Sequence, residues 1–279
     1  MNWVWIILLS FLSQIARSQD NNHTVDLLSY NIRLDHAGDN EDNWHHRKSD
    51  MVEYLSASES DFIGLQEAIG HQLAYLDNEM IKYTYLGVAR DDGAKLGEYS
   101  PILYDSTRWR VAESNTFWLS STPHRVSRGW DAAYPRVCTY GLFISKITED
   151  TIIVLNTHFD HVGKIAREES IRLIIEFIVQ FDARIPLVLM GDFNFTPDDE
   201  NYNLLTIRLT DSHTILDDKN ALSATFNNWK ADSEATRRID YIFVNDPIIL
   251  NKYYVDQPKT KKHRQLSDHY PVIVEISLK

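Results

Sequence analysis

Positive charge, cysteine and long apolar runs are all scarce in this chain, and each shortage removes a class of answers. Lysine and arginine number 28 against 40 aspartates and glutamates, a net charge of −12 with histidine neutral. Such a surface repels polyanions at long range, which disfavours non-specific tracking of duplex nucleic acid. The one cysteine, Cys138, forbids an internal disulfide. A chain of 279 residues can bury enough apolar surface to do without one. Cys138 itself reads as a small buried hydrophobe. No zinc-type cluster, phosphate-cradling Gly-rich loop or nucleophilic Ser or Cys motif occurs. Internal repeats and low-complexity linkers are missing too, so residues 19–279 read as one domain.

The only long apolar run, Trp3–Leu12, is too short to span a bilayer and leads to Ala16-Arg17-Ser18, small residues spaced for a signal peptidase. Met1–Ser18 therefore reads as a signal peptide, which makes the protein secreted or periplasmic, with no stable membrane insertion. An uncleaved anchor is the alternative, because no Lys or Arg precedes the run. Asn22-His23-Thr24 fits the glycosylation pattern, which matters only in a eukaryotic source. Asn194-Phe195-Thr196 also fits it, but coincides with a candidate site residue.

What is present is a series of short apolar runs that end in polar residues. Leu187–Met190 reads as a strand buried on both faces, followed by Gly191-Asp192-Phe193-Asn194. Period-two geometry points Asp192 and Asn194 the same way, which suits orienting a water or holding a hard cation. A strand leaving through an Asx turn, with a helix beginning at Thr196-Pro197, is an equal reading. Further strands are expected at Val25–Asn31, Phe62–Glu67, Tyr83–Val88, Ser100–Tyr104, Trp109–Phe117, Arg136–Ser145, Thr151–His158, Ile239–Val244 and Pro271–Ile276. Helical patterns follow Arg47 and His71, and a third carries Ile171, Ile174, Ile175 and Ile178 on one face. Asp35–Trp44 and Ser120–Pro135 read as loops. Many strands with few helices predict an α+β sandwich, two packed sheets covered by helices.

Polar strand endings recur at Asn31, Glu67, His158, Asp192 with Asn194, Asp240, and Asp268 with His269. A lone histidine at a strand end is more often a satisfied polar residue than a catalyst. Six such endings in one chain predict a single cleft along one edge of the sandwich.

The ordered segments Ser29-Tyr-Asn31-Ile, Gly64-Leu-Gln-Glu67-Ala, Asn156-Thr-His158, Gly191-Asp192-Phe-Asn194, Arg238-Ile-Asp240-Tyr-Ile and Ser267-Asp268-His269-Tyr-Pro271 resemble the motifs of the endonuclease/exonuclease/phosphatase family. The resemblance covers nearly the whole chain after the leader. It implies the deoxyribonuclease-I-like fold, a four-layer α/β/β/α sandwich with mostly antiparallel sheets. It further implies that Glu67, helped by Asn31 and Asp268, holds Mg2+, with Mn2+ as the alternative. Asp192 and Asn194 would position the attacking water, Asp240 would orient His269, and His158 would donate to the phosphate. Glu98, in Gly97-Glu98-Tyr-Ser-Pro, would orient His158. The stretch from Thr116 to Tyr140 resembles a secreted bacterial branch related to deadenylase-like enzymes, in which Arg136 would face the phosphate. Trp118 and Trp130 could stack on a base or sugar, although ordinary packing accounts for Trp118 better. One-metal and two-metal chemistry both stay open.

The chemistry agrees with these assignments. Phosphate ester hydrolysis needs charge neutralised on the phosphoryl oxygens, a water held in line and a leaving group protonated. The expected activity is that of a secreted, metal-dependent phosphoesterase working as a monomer without an obligate protein partner. Its substrate would be a nucleotide, a short nucleic acid or another small phosphoester. A nuclease acting on RNA or single-stranded DNA is one alternative, a sphingomyelinase-type phospholipase and a non-catalytic phosphate-binding module two weaker ones. The basic run Lys259–Arg264, just before Asp268, is expected to form a positive rim that draws small anions.

Overall fold

The computed structural model describes residues 24–215, 223–230 and 235–278, so the leader at residues 1–18 and Asn22 lie outside the described residues. The two centres of the fold are parallel strand pairs. Strand β1 (Thr24–Asn31) pairs with β2 (Phe62–Gln66) through the crossover helix α1 (Trp44–Ala57). Strand β9 (Thr151–His158) pairs with β10 (Leu187–Asp192) through α3 (Lys164–Ile178). Parallel neighbours cannot be joined by a tight turn, so each pair requires a helix on the sheet's outer face. That requirement gives the sandwich its helical layers.

The remaining strands add antiparallel. They are β3 (Ala68–Ile69), β4 (Tyr83–Leu86), β5 (Glu98–Tyr99), β6 (Ile102–Asp105), β7 (Trp109–Trp118), β8 (Val137–Ser145), β11 (Thr210–Asp211), β12 (Asp240–Val244), β13 (Ile248–Val255) and β14 (Val272–Leu278). Two six-stranded sheets result, in the orders β13-β14-β1-β2-β6-β4 and β11-β12-β10-β9-β8-β7, with β3 and β5 as a separate pair. Two more helices, α2 (Gly70–Glu79) and α4 (Glu200–Thr206), complete the covering among the described residues, none of whose helices is long and apolar enough to cross a membrane.

Alternating side chains sort the core into three layers. Leu27, Phe62, Phe143, Val154, Val188 and Met190 point inward between the sheets. Their neighbours Leu28, Ile63 and Leu65 pack under α1 and α2 with Met51, Leu55, Leu73 and Leu76. Leu155, Leu189 and Phe193 pack under α3 with Ile171 and Ile174. Adjacent residues thus bury in opposite layers, as expected of strands covered on both faces. Cys138 is fully buried, as a small hydrophobe should be.

Several boundaries differ from the sequence pattern. The expected loop Asp35–Trp44 contains a 3₁₀ helix at Ala37–Asp42, and the Asn43 side chain accepts from His45 N–H to start α1. Strand β13 has no clear alternation because it is an edge strand, half of it exposed, with a register shift between Leu250 and Lys252. After Asn194 the chain does not enter a helix at Thr196; α4 begins at Glu200, capped by Asp199.

Candidate active site

The polar endings share one edge because of strand direction. Strands β9 and β10 run parallel and both finish there, and β12 runs antiparallel and begins there. Asp192 is the register partner of both His158 and Asp240, and Asn31 of Gln66, which immediately precedes Glu67. Two local conformations aim the groups. Gly191 has φ 153°, where a Cβ would stand 2.1 Å from the Thr157 carbonyl oxygen. Glu67 and Asn194 have φ 61° and 54°, left-handed turns that swing each side chain off its strand. Glu67 therefore lies just past β2 and not in it.

A cavity of about 680 Å³ opens at this edge, lined by Glu67, Glu98, Arg136, His158, Asp192, Asn194, Asp268 and His269. Asn31 and Asp240 lie behind these residues. Asn31 Nδ2 donates to Glu67 Oε1 (3.1 Å) and to Asp192 Oδ2 (3.0 Å), joining two carboxylates from different sheets. Asp240 is fully buried and meets His269 Nδ1 at 2.9 Å. Burial alone would lower the His269 pKa, but Asp240, then Asp192 and Asp268, drive it above the ordinary imidazole value. Burial, then Asp240, raises Asp192 above the usual carboxylate range. His158 goes the other way: burial, then Arg136, holds its pKa well below the ordinary value, so its ring is neutral.

The Glu98 arrangement differs from expectation. Glu98 Oε2 is 3.6 Å from His158 Nδ1, too long for a hydrogen bond, and takes its bond from Arg90 Nη1 at 2.7 Å. A guanidinium outcompetes a neutral imidazole for a carboxylate. Arg136 donates through Nε to Asp160 (3.3 Å), and its Nη2 meets His161 Nδ1 (3.1 Å). Arg136 Nη1, Arg90 Nε and His158 Nδ1 are buried without a hydrogen-bond partner.

Two groups of side chains could hold a cation. Asp192, Asp240 and His269 each offer a ligand atom within 4.8 Å of the others. Glu67 and Asp268 form the second group, where Arg33 Nη1 stands 3.8 Å from a carboxylate oxygen of each. Burial, opposed by His269 and aided by repulsion from Glu67, lifts Asp268 above the usual carboxylate range, and the pair offers hard oxygens of the kind a divalent ion takes. In the first group a positive imidazolium already answers the carboxylates.

Residues 28–269 match the profile of the endonuclease/exonuclease/phosphatase family. The chain belongs to this family. It is similar to an endonuclease/exonuclease/phosphatase family protein from Bacteroides thetaiotaomicron, with 36% identity and a TM-score of 0.86 over 92% of this chain and 98% of that one. It is also similar to a mannosyl-6-phosphatase from the same species, with 34% identity and a TM-score of 0.85 over 91% of this chain and all of that one. Nocturnin from Drosophila melanogaster is 22% identical over 97% of this chain and 49% of its own length, so the chain spans about half of that curated relative. Within the family the protein is a hydrolase acting on phosphoester bonds, and its two sheets and four described helices form the expected sandwich.

Some expected contributors stand elsewhere. Trp130 is 38% exposed and does not line the cavity. Trp118 is buried and its indole N–H donates to the Arg90 carbonyl, so it packs and supports the loop. The basic run forms no rim on the cavity: Arg264 is bound by Asp42 at 2.7 and 2.6 Å, and Lys261 pairs with Glu53 at 2.6 Å. Acidic side chains of α1 and the preceding turn claim these cations first. Besides His269, the cavity's positive charge comes from Arg33, Arg90, Arg136 and Arg237, and its aromatic walls are Tyr134, Phe226 and Trp229. Of these only Arg136 was singled out by sequence. Arg33 carries a usable signal, two residues past Asn31; Arg90 and Tyr134 sit in loops with no periodic pattern to mark them.

Proposed function

We propose that this family member is a Mg2+-dependent phosphomonoesterase acting on small, doubly charged phosphoesters, sugar phosphates foremost. The observation that carries the reading is the cluster of Arg33, Arg90 and Arg136 in one acidic cavity, on a body whose net charge is −12. Guanidinium groups with free N–H bonds suit the oxygens of a terminal phosphate dianion better than the single charge of a diester. The 34% identity to a mannosyl-6-phosphatase supports the same class.

In this reading Glu67 and Asp268 hold the cation, and Asn31 keeps Glu67 in line with Asp192. Bound Mg2+, or Mn2+ in its place, would neutralise charge on the phosphoryl oxygens. Asp192 accepts the proton of the attacking water, and Asn194, fixed by its bond to the Phe159 carbonyl, orients that water. The buried Asp240 keeps His269 charged beside the phosphate. His158, Arg136 and Arg90 bind the remaining phosphoryl oxygens. A second reading, turnover of nucleotides or short single strands, draws support from Tyr134 and Trp229 on the cavity wall, which could stack on a base. Export to the periplasm or medium, directed by residues 1–18, is part of the proposal.

The test is a panel of mannose 6-phosphate, glucose 6-phosphate, mononucleotides, a synthetic phosphodiester and short RNA, each with Mg2+ and with chelator. Monoesters should be hydrolysed at least tenfold faster than diesters, and chelator should abolish turnover. Faster cleavage of the diester or RNA would move the assignment to the nuclease reading, and full activity in chelator would remove the cation from it.

A further inference from the structure

Arg33, at the cavity mouth, is held through both its side chain and its backbone. Its Nε and Nη2 grip both oxygens of Asp39 at 2.9 and 3.0 Å. Its backbone is left-handed, φ 59°, and held there from every side. The N–H donates to Asn31 Oδ1 (3.0 Å), while the carbonyl accepts from Arg47 Nη2 (2.8 Å) and Gln72 Nε2 (3.0 Å). Strain persists in a fold only where neighbours over-determine it, and here it fixes one guanidinium. The remaining nitrogen, Nη1, stops 3.8 Å from Glu67 Oε2 and 3.8 Å from Asp268 Oδ2. Charge-assisted N–H···O bonds close to about 2.7–2.9 Å, so the group is near both carboxylates and bonded to neither.

We propose that Arg33 is a resident monocation that limits the Glu67–Asp268 seat to one divalent ion, and that Asp39 is the tether that keeps it from occupying the seat itself. The inference rests on the reading that Glu67 and Asp268 hold the cation. A unit positive charge a few ångströms from that ion weakens its binding, on the order of tenfold, and adds to the repulsion that a second ion already meets from the first. Asp39 lies on the 3₁₀ turn Ala37–Asp42 and pulls the guanidinium toward that turn, away from the carboxylates. Without it the fork could swing inward and form the two bonds that now fall short. Arg33 and Asp39 are positioning residues in this scheme: they set how many ions the site takes and how tightly.

Titration of the full chain with Mn2+, followed by electron paramagnetic resonance and calorimetry, tests this without reference to turnover. Wild type should bind one Mn2+. Arg33→Gln should bind about tenfold more tightly and admit a second ion. Asp39→Asn should keep one ion and bind it about tenfold more weakly, and the double variant should behave like Arg33→Gln. Arg33→Lys, which keeps the charge without the fork, should still bind one, and melting curves check that each variant is folded. Two ions on wild type, or an Arg33→Gln variant unchanged in number and affinity, would overturn the proposal. An Asp39→Asn loss that persists in the Arg33→Gln background would overturn the tether, since Asp39 would then act by its own charge. No Mn2+ bound by wild type, or binding that survives Glu67→Ala, would sink the cation reading and this inference with it.

Discussion

At the scale of single residues, the site depends on pairs in which a buried acid sets the state of its neighbour. Asp240, 2.9 Å away, holds His269 charged, so the two are expected to act as a unit. Asp240→Asn and His269→Ala should each lower kcat/KM by about 10²–10⁴, and the double variant should be scarcely worse than either. Strictly multiplicative losses in steady-state kinetics would mean that the two act separately. Asp160, which accepts a bond from Arg136, offers a pH test read through stability and not turnover. Burial would raise its pKa, but backbone N–H groups of Gly163, Ala133 and Val162, then Arg136, outweigh it and hold the carboxyl below its usual range. A folded value below the unfolded one of about 3.9 means that the stabilisation is complete above that pH and fades as pH falls toward the folded value. Asp160→Asn should therefore cost about 1–3 kcal/mol at pH 7 and less at pH 3, measured by denaturant unfolding. An equal loss at both pH values would show that the charge is not what holds this loop.

Elements matter here through where they stop. Asp192 reaches the cavity because β10 lies tight against β9 at Gly191, with Thr157 filling the space a side chain would need. Gly191→Ala should destabilise the protein by roughly 3 kcal/mol or more and reduce activity by displacing Asp192. Gly70→Ala, at the start of α2, is the control: its new Cβ would meet the Lys95 carbonyl at an ordinary 3.6 Å, and melting should change little. Similar melting temperatures for both variants would refute the close-approach argument.

For the whole molecule, charge is arranged against its own average. An acidic body encloses a cavity whose cations are arginines from separate loops and strand ends. The lysine- and arginine-rich run before Asp268 is turned toward Asp42, Asp50 and Glu53 instead. Replacing Lys261, Lys262 and Arg264 together should therefore leave KM for small phosphoesters within about twofold, because exposed pairs of this kind contribute little. A severalfold rise in KM that weakens with added salt would restore the run as a substrate-steering rim.

The fold class and most of the candidate site were legible in the chain because strands buried on both faces leave short continuous apolar runs, and because a polar residue stands where such a run stops. Asn31, Glu67, His158, Asp192, Asp240 and His269 all carry that signature, and the ordered motifs around them point to one family. Sequence could not say which cations serve the cavity. Lys261 and Arg264 look available in a list of residues and are claimed by acids of α1 and its preceding turn, brought there only by folding. Arg90 looks like an ordinary loop residue, and Arg33 is marked only by its place after Asn31; folding sets them against Glu98 and against Asp39, Glu67 and Asp268. Local pattern records which face of an element is buried; which charge meets which is decided by contacts far apart in the chain, such as Asn31 with Asp192, and those exist only in the tertiary structure.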